Sequence, residues 1–152
     1  MGAAFFYHLT RHPVDVTLSM LLDKARGAGW SVAVRGTDLG RLHWLDEKLW
    51  MGHEAGFLPH GLAGGAQDVD QPILLTTLVD AANNPQCVMC VDGADITAEE
   101  IAALERVCVL FDGNDSEALD RARHQWKTLK DTGATAQYWS QADGSWEKKA
   151  ET

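Results

Sequence analysis

The sequence predicts one α/β domain over residues 1–152, with a mainly parallel, open β-sheet flanked by helices and a β-hairpin at its end. Short apolar runs alternate with amphipathic helical segments, which is typical of this class. A chain of 152 residues ordinarily forms one domain, and 45% hydrophobic with 23% charged residues is an ordinary globular composition. The topology is expected to be Rossmann-like, without a nucleotide-binding loop.

The first predicted element is an apolar and aromatic strand, Ala4–Leu9. Pro13 then suits a first helical turn, where its missing N–H is not needed. Apolar residues at helical spacing predict the first helix, namely Val14, Leu18, Leu21, Leu22 and Ala25. Gly27 and Gly29 follow and close that helix.

A β-branched run, Trp30–Arg35, predicts the second strand, and Thr37 or Asp38 caps the second helix. The inward positions of that helix are Leu42, Leu45 and Leu49. The stretch 51–71 is rich in glycine and proline and is interpreted as a long loop.

Two further strands are predicted at Pro72–Leu78 and Cys87–Val91, with an Asn-Asn-Pro turn between them. Thr97 and Glu100 have the spacing of a capping box and begin a short third helix. Another strand is predicted at Arg106–Phe111.

A second capping box, Asn114–Glu117, begins the last predicted helix, which runs to about Lys130. The chain then forms a hairpin of two strands, Ala136–Trp139 and Ser145–Lys148, around an Asp-Gly turn.

Charge is distributed unevenly along the chain. The net charge of −9 argues against a general nucleic-acid binder, because phosphate contacts require clustered cations. Residues 1–120 carry a net charge of −11 and residues 121–152 carry +2, so a basic region lies near the C-terminus. No apolar run approaches the ~20 residues of a membrane helix, and no export signal precedes the first strand. We therefore expect a cytoplasmic protein.

Cysteine spacing raises the question of a metal or redox site. Three cysteines are present, and Cys87 and Cys90 have the C-x-x-C spacing of such sites. No second pair follows, and the motif lies in a predicted strand instead of at a helix start. Buried structural thiols are the favoured interpretation, and neither a metal nor a cofactor is expected.

The alternative to a binding protein is a small nucleotide- or phosphate-binding α/β enzyme. The first strand leads into Thr-Arg-His-Pro without a glycine fingerprint, and the glycine-rich run 61–66 lacks the lysine of a phosphate loop. Two acidic turns, 92–95 and 112–115, could bind Mg²⁺, but their residues are also those that turns and helix caps require. No catalytic constellation stands out.

The last helix combines an apolar and a basic face. Its inward positions are Leu119, Ala122, Trp126 and Leu129. Arg123, Lys127 and Lys130 form a neighbouring basic face, which suits either a solvated surface or an anion-binding site.

A docking surface is predicted where the second helix ends in Trp50 and the following loop presents Phe57, Pro59 and His60. This segment, with its LDE-LW and F-PH-L-G motifs, resembles the chi subunit of bacterial DNA polymerase III. The resemblance extends in order through FFYHL at residues 5–9, PILL at 72–75, LFDG at 110–113 and ARHQWK at 122–127.

The resemblance implies a non-catalytic replication subunit with two protein partners. In that family the last helix receives the acidic C-terminal tail of single-stranded-DNA-binding protein, which assigns tail binding to Arg123, Trp126, Lys127 and Lys130. The matching Trp50 and Phe57 positions contact the psi subunit of the clamp loader or a helicase-type protein. This chain departs from the family pattern at Trp126, where a tyrosine is expected, at His124-Gln125, where a more basic pair is expected, and in its extended C-terminal hairpin.

Overall fold

The computed structural model describes residues 2–9, 14–51, 60–140 and 146–151, without the side chains of residues 50 and 51. The strands among them are β1 (Ala3–Leu9), β2 (Val32–Arg35), β3 (Gly61–Leu62), β4 (Ile73–Thr76), β5 (Cys87–Cys90), β6 (Arg106–Asp112), β7 (Ala136–Ser140) and β8 (Glu147–Glu151). The helices are α1 (Val14–Gly27), α2 (Leu39–Met51), α3 (Ala98–Ala103) and α4 (Ser116–Asp131), with a 3₁₀ turn at Asp68–Asp70. None of these helices is long and apolar enough to cross a membrane.

The eight described strands form one sheet in the order β3-β4-β2-β5-β6-β1-β7-β8. Neighbours from β3 through β7 run parallel, and β7 pairs with β8 in the antiparallel sense. The predicted α/β class, with a mainly parallel sheet and an antiparallel terminal pair, is confirmed. The predicted Asp143-Gly144 turn lies outside the described residues.

The strand order places the helices on two opposite faces of the sheet. The chain moves toward one edge through α1 and α2 and toward the other through α3 and α4. Right-handed crossovers then put the two pairs on opposite faces. Accordingly, Leu22 and Leu45 share one core cluster with the sheet, whereas Ile101 and Leu129 belong to the other.

Hydrogen bonds confirm two of the predicted helix starts. Glu100 N donates to Thr97 Oγ1 at 3.2 Å, and Thr97 N donates to Glu100 Oε1 at 3.3 Å, which completes the capping box of α3. At the start of α2, Arg41 N donates to Asp38 Oδ2 at 3.1 Å. The side chain of Asp38 therefore satisfies an amide that has no partner within the helix.

The predicted start of α4 is wrong by one residue. Asp115 is the N-cap, and its Oδ1 accepts a hydrogen bond from Glu117 N at 3.0 Å. Asn114 N donates instead to Asp112 Oδ1 at 2.9 Å. This tight turn after β6 moves the helix start by one position.

Strand boundaries also differ from the prediction. β4 is shorter than the predicted run Pro72–Leu78, because the chain turns after Thr76, whose Oγ1 accepts from Leu78 N at 3.0 Å. β8 begins two residues later than predicted, at Glu147. The stretch interpreted as a loop contains β3, which pairs with β4. Its two residues are too few to show an alternating pattern in the sequence.

The three cysteines are free and buried, as predicted. Cys87 packs in the cluster of α1 and α2, and Cys90 packs in the cluster of α3 and α4. Residues three apart on a strand point to opposite faces, so this C-x-x-C pair cannot share a metal ion or form a disulfide. Burial raises the pKa of Cys90 to about 12, which keeps it a thiol.

A buried arginine joins several segments at the carboxyl end of β2. Arg35 is 5% exposed, and its guanidinium donates to Glu100 Oε2 at 2.6 Å. It also donates to the carbonyl oxygens of Asp95 at 2.8 Å and Val79 at 3.1 Å. One guanidinium therefore ties the loops after β4 and β5, together with the capped start of α3, to the sheet.

Replacing this arginine tests its role in stability. Arg35→Leu should lower the free energy of unfolding by about 3 kcal/mol, because the Glu100 carboxylate and two carbonyl oxygens lose their donor. Urea denaturation measures the change. The control is Lys148→Leu, which removes the cation of an exposed pair with Glu151 and should cost less than about 0.5 kcal/mol. A loss below about 1 kcal/mol for Arg35→Leu contradicts the role given to this network.

Candidate functional site

The predicted cationic residues lie on the solvent side of α4. We call Arg123, Lys127 and Lys130 the basic stripe, and all three side chains are exposed. Ala122 and Leu129 are buried against the sheet on the opposite side of the helix, as predicted. Leu119 is half-buried and packs at the margin of the same core. The helix therefore separates an apolar and a cationic face as its sequence indicates.

A buried glutamine fixes the rotation of α4. Gln125 is 9% exposed, and its Nε2 donates to Asp95 Oδ1 at 2.7 Å and to the Ala94 carbonyl at 3.2 Å. Because Gln125 lies between Arg123 and Trp126 in the chain, these bonds determine how both are presented. This role of Gln125 could not be predicted from the sequence, since a glutamine within a helix carries no mark of burial.

Trp126 lies at the boundary between the basic stripe and the sheet. It is half-buried, and its ring centroid is 5.4 Å from that of Phe6 and 5.8 Å from that of Tyr138. Both pairs have nearly perpendicular ring planes, at 83° and 89°. Such edge-to-face contacts hold the indole firmly beside the cations.

An aromatic cluster that the sequence did not predict lies below Trp126. His8, Phe111 and Tyr138 come from β1, β6 and β7, which are adjacent in the sheet. The Tyr138 hydroxyl lies 3.0 Å from His8 Nδ1, and the His8 and Phe111 rings are 5.2 Å apart. Strand order brings these residues together, and no spacing within the sequence reveals that order.

Arg123 acts electrostatically on this cluster. Burial lowers the pKa of His8, a hydrogen bond with the Gly113 backbone opposes that shift, and the positive charge of Arg123 adds to it. Burial raises the pKa of Tyr138, and Arg123 acts against that shift. A Cβ at Gly113 would collide with the His8 ring, so only glycine fits there.

The second predicted surface lies largely outside the described residues. Phe57 and Pro59 fall in the stretch 52–59, and only the backbone of Trp50, in α2, is described. His60 is 5% exposed, and its Nε2 lies 3.1 Å from Asp46 Oδ1 and 3.2 Å from the Asp46 carbonyl oxygen. These contacts hold the chain against α2 where it enters β3. The expectation that the loop presents His60 to a partner is therefore wrong, because this side chain is buried against Asp46. A partner interface at Trp50, Phe57 and Pro59 stays a prediction.

A cavity of about 580 Å³ lies beyond the carboxyl ends of β1, β5 and β6. Ligands of open α/β sheets commonly bind at this position. The charged side chains in its described lining are Arg41, Arg121, Asp92, Asp112 and Asp115. Arg41 pairs with Asp92 at 3.3 Å, and the two other carboxylates bond to amides of their own turns. The carboxylates outnumber the cations, which disfavours a phosphate ligand.

The glycine-rich loop after β3 is similarly engaged. Gly64 N and Gly65 N donate to the Asp68 carboxylate at 2.9 Å and 3.0 Å. Backbone amides of this kind are what a phosphate-binding loop offers to its ligand. Here an internal carboxylate occupies both amides and would repel a phosphate.

Comparison with known proteins shows which family this chain resembles. A model described as DNA polymerase III chi subunit, HolC, matches residues 1–137. A curated relative from Rickettsia prowazekii (strain Madrid E), named "Probable DNA polymerase III subunit chi", is 23% identical over 111 residues. That alignment covers 70% of this chain and 67% of the relative. The family match ends within β7, so Trp139 and β8 lie beyond it.

The lowered pKa of His8 makes stability depend on pH. The neutral imidazole is favoured in the folded protein. Its contribution to the free energy of unfolding is therefore fully present above the pKa of His8 in the unfolded chain, about 6.5, and is lost as pH falls through the lower pKa in the folded protein. The free energy of unfolding should therefore fall more between pH 7 and pH 5 in the original protein than in His8→Gln. Urea denaturation at both pH values measures this difference.

The control for that experiment is His124→Gln, on the exposed side of α4. It should retain the pH dependence of the original protein. The same decrease in His8→Gln and in the original protein would contradict the role given to His8.

Proposed function

The chain belongs to the DNA polymerase III chi subunit family, which makes it an accessory subunit of replication, and we propose that it links the clamp-loader assembly to single-stranded-DNA-binding protein. The observation that carries this proposal is the exposed basic stripe of α4 beside a firmly packed aromatic wall. The ligand is the acidic C-terminal tail of single-stranded-DNA-binding protein, as the family resemblance implies. The subunit acts by binding alone and is non-catalytic.

The chemistry of the stripe suits a peptide that ends in an apolar side chain and a carboxylate. Arg123 binds a carboxylate with two parallel hydrogen bonds, and Lys127 and Lys130 act as point charges. Trp126 and Tyr138 form the apolar wall that receives the terminal side chain. The spacing on α4 supports this arrangement, because Arg123 and Trp126 are three residues apart and therefore neighbours on the helix surface.

The charge of the remaining protein supports the same assignment. Residues 1–120 carry a net charge of −11, so an acidic peptide is repelled over most of the surface. Residues 121–152, which include the stripe, carry +2. Local complementarity on a repulsive background increases specificity more than affinity.

The acidic turns support a non-catalytic role. Metal-dependent polymerases and nucleases hold two metal ions on clustered carboxylates. Asp92 is paired with Arg41, and Asp112 and Asp115 accept backbone amides of the turn that begins α4. Their hydrogen bonds account for these carboxylates as parts of the fold.

Charge reversal on the stripe tests tail binding. Arg123→Glu together with Lys127→Glu should weaken binding of a tail peptide at least about tenfold from a Kd near micromolar, because attraction becomes repulsion. Isothermal titration calorimetry measures the affinity, which should also fall as salt rises. A peptide lacking its last two residues should bind as weakly as the intact peptide binds the doubly substituted protein.

The matched control is Arg121→Glu, which reverses a charge on α4 outside the stripe. It should leave tail affinity within about twofold of the original value. Equal affinity for the intact and shortened peptides, or equal effects of the control and the double substitution, would identify the stripe as a solvated face.

The second partner is tested separately. We infer from the family resemblance that Trp50 and Phe57, with Pro59, contact a psi-like subunit or a helicase-type protein, and that the buried His60 acts by holding the chain against α2. Trp50→Ala with Phe57→Ala should abolish capture of that partner, since aromatic residues central to an interface typically cost about 2 kcal/mol or more when truncated. Tail binding should be unchanged.

The control for partner capture is Leu39→Ala, an exposed apolar residue at the opposite end of α2. Pulldown from the native cell with mass spectrometry gives the readout, and circular dichroism confirms that each variant is folded. Unfolding of the double variant would place the two aromatic residues in the core and refute the assignment.

A further inference from the structure

A second cavity, of about 410 Å³, lies between α1 and the sheet on the face opposite α4. Its walls are mainly apolar and include five aromatic side chains, those of Phe5, Tyr7, Trp30, Trp139 and Trp146. Trp146 packs edge-to-face on Tyr7 with ring centroids 5.1 Å apart. Ligand sites of proteins are typically apolar cavities of about this size with a few polar groups.

Among the described residues that line this cavity, the charged side chains are two cations, Lys24 and Arg106. Lys24 comes from the last turn of α1 and Arg106 from the start of β6. The Arg106 guanidinium carbon is 4.4 Å from the Phe5 ring centroid and 5.4 Å from that of Trp30. The stacked cation has exchanged part of its water for aromatic faces, which strengthens its interaction with any anion that enters.

The cavity is deficient in negative charge. The described lining contributes no carboxylate, and no ion pair of Arg106 occurs among the described residues. This is unusual in a protein of net charge −9. A half-buried cation without an anion is a favourable place for a ligand to supply one.

Part of the cavity wall is not a feature of the matched family region. Trp139 and Trp146 lie beyond residue 137, where the family match ends. Trp139 belongs to β7, and Trp146 immediately precedes β8. The C-terminal hairpin that extends the sheet therefore also completes this cavity.

From the aromatic walls, the two cations and the absence of acid in the described lining, we propose that this cavity binds an apolar monocarboxylate. Its ring or short acyl chain packs among the indoles, and its carboxylate lies between Lys24 and Arg106. The Tyr7 hydroxyl offers a neutral donor, because burial holds its pKa well above the usual value. The site is on the other face of the sheet from the basic stripe, so it is independent of the proposed tail binding.

Two soluble probes test this proposal on the full chain, 3-phenylpropionate and octanoate. Isothermal titration calorimetry should show saturable binding of at least one, and the probe that binds identifies an aryl or an acyl source. The alcohol 3-phenyl-1-propanol should bind at least about tenfold more weakly than the acid, because it lacks the charge. In spectra of the ¹⁵N-labelled protein, the indole signals of Trp30, Trp139 and Trp146 should shift and that of Trp126 should not.

Three substitutions locate the site. Arg106→Gln and Trp146→Ala should each weaken acid binding at least about fivefold, since one removes the stacked cation and the other removes a wall. Lys24→Gln changes only an exposed side chain of α1, so it keeps the test valid if Arg106→Gln fails to fold. Lys24→Gln should weaken binding of the acid but not binding of the alcohol. Lys127→Gln, on the basic stripe, is the control and should have no effect.

Absence of saturable binding by both acids would overturn the proposal. Equal affinity for acid and alcohol would also overturn it, because the cations would then have no role. A shift of the Trp126 signal without shifts of the other three would place the ligand on the basic stripe and refute this site.

Discussion

The structure depends on one buried guanidinium and the polar chain that continues from it. Arg35 lies at the end of a central strand and binds Glu100, which closes the capping box of α3, and the carbonyl of Asp95. The side chain of Asp95 then accepts from Gln125 of α4. Burying a charge or a polar group is costly unless it is hydrogen-bonded, so the buried Arg35 and Gln125 both require these partners. The sheet thereby fixes the helix that carries the basic stripe.

These hydrogen bonds explain how the exposed side chains of α4 can be presented in a defined geometry. Arg123 and Trp126 flank Gln125 in α4, and their positions follow once Gln125 is bonded to the loop after β5. Below them, Phe6 and Tyr138 fix the indole from two strands. A site formed on a fixed helix loses less entropy when it binds a flexible peptide than a site formed on loops would.

Local patterns predicted the fold well, because the hydrophobic periodicity of a helix or a strand is visible in residues that are close together in the sequence. The Thr97 capping box and the burial of Cys87 and Cys90 follow from spacing alone. The burial of Arg35 and Gln125 could not be predicted, since both residue types usually lie at the surface and their hydrogen-bond partners are distant in sequence. The His8 and Tyr138 pair requires the strand order, which a single sequence does not encode in any spacing.

The two proposed binding faces meet at β7, and the alternation of its side chains keeps them separate. Successive side chains of a strand point to opposite faces, so Tyr138 packs toward α4 and Trp139 packs toward α1. β8 adds a final strand whose side chains are all exposed, so it gains little from apolar burial. Backbone pairing with β7 and the contact of Trp146 with Tyr7 must supply most of its attachment. Its lysines and glutamates, four of its five residues, also protect the outer edge from pairing with another chain. β8 and the residue before it thus form a charged edge of the sheet, and Trp146 completes the cavity beside α1. The face that carries the basic stripe is not altered.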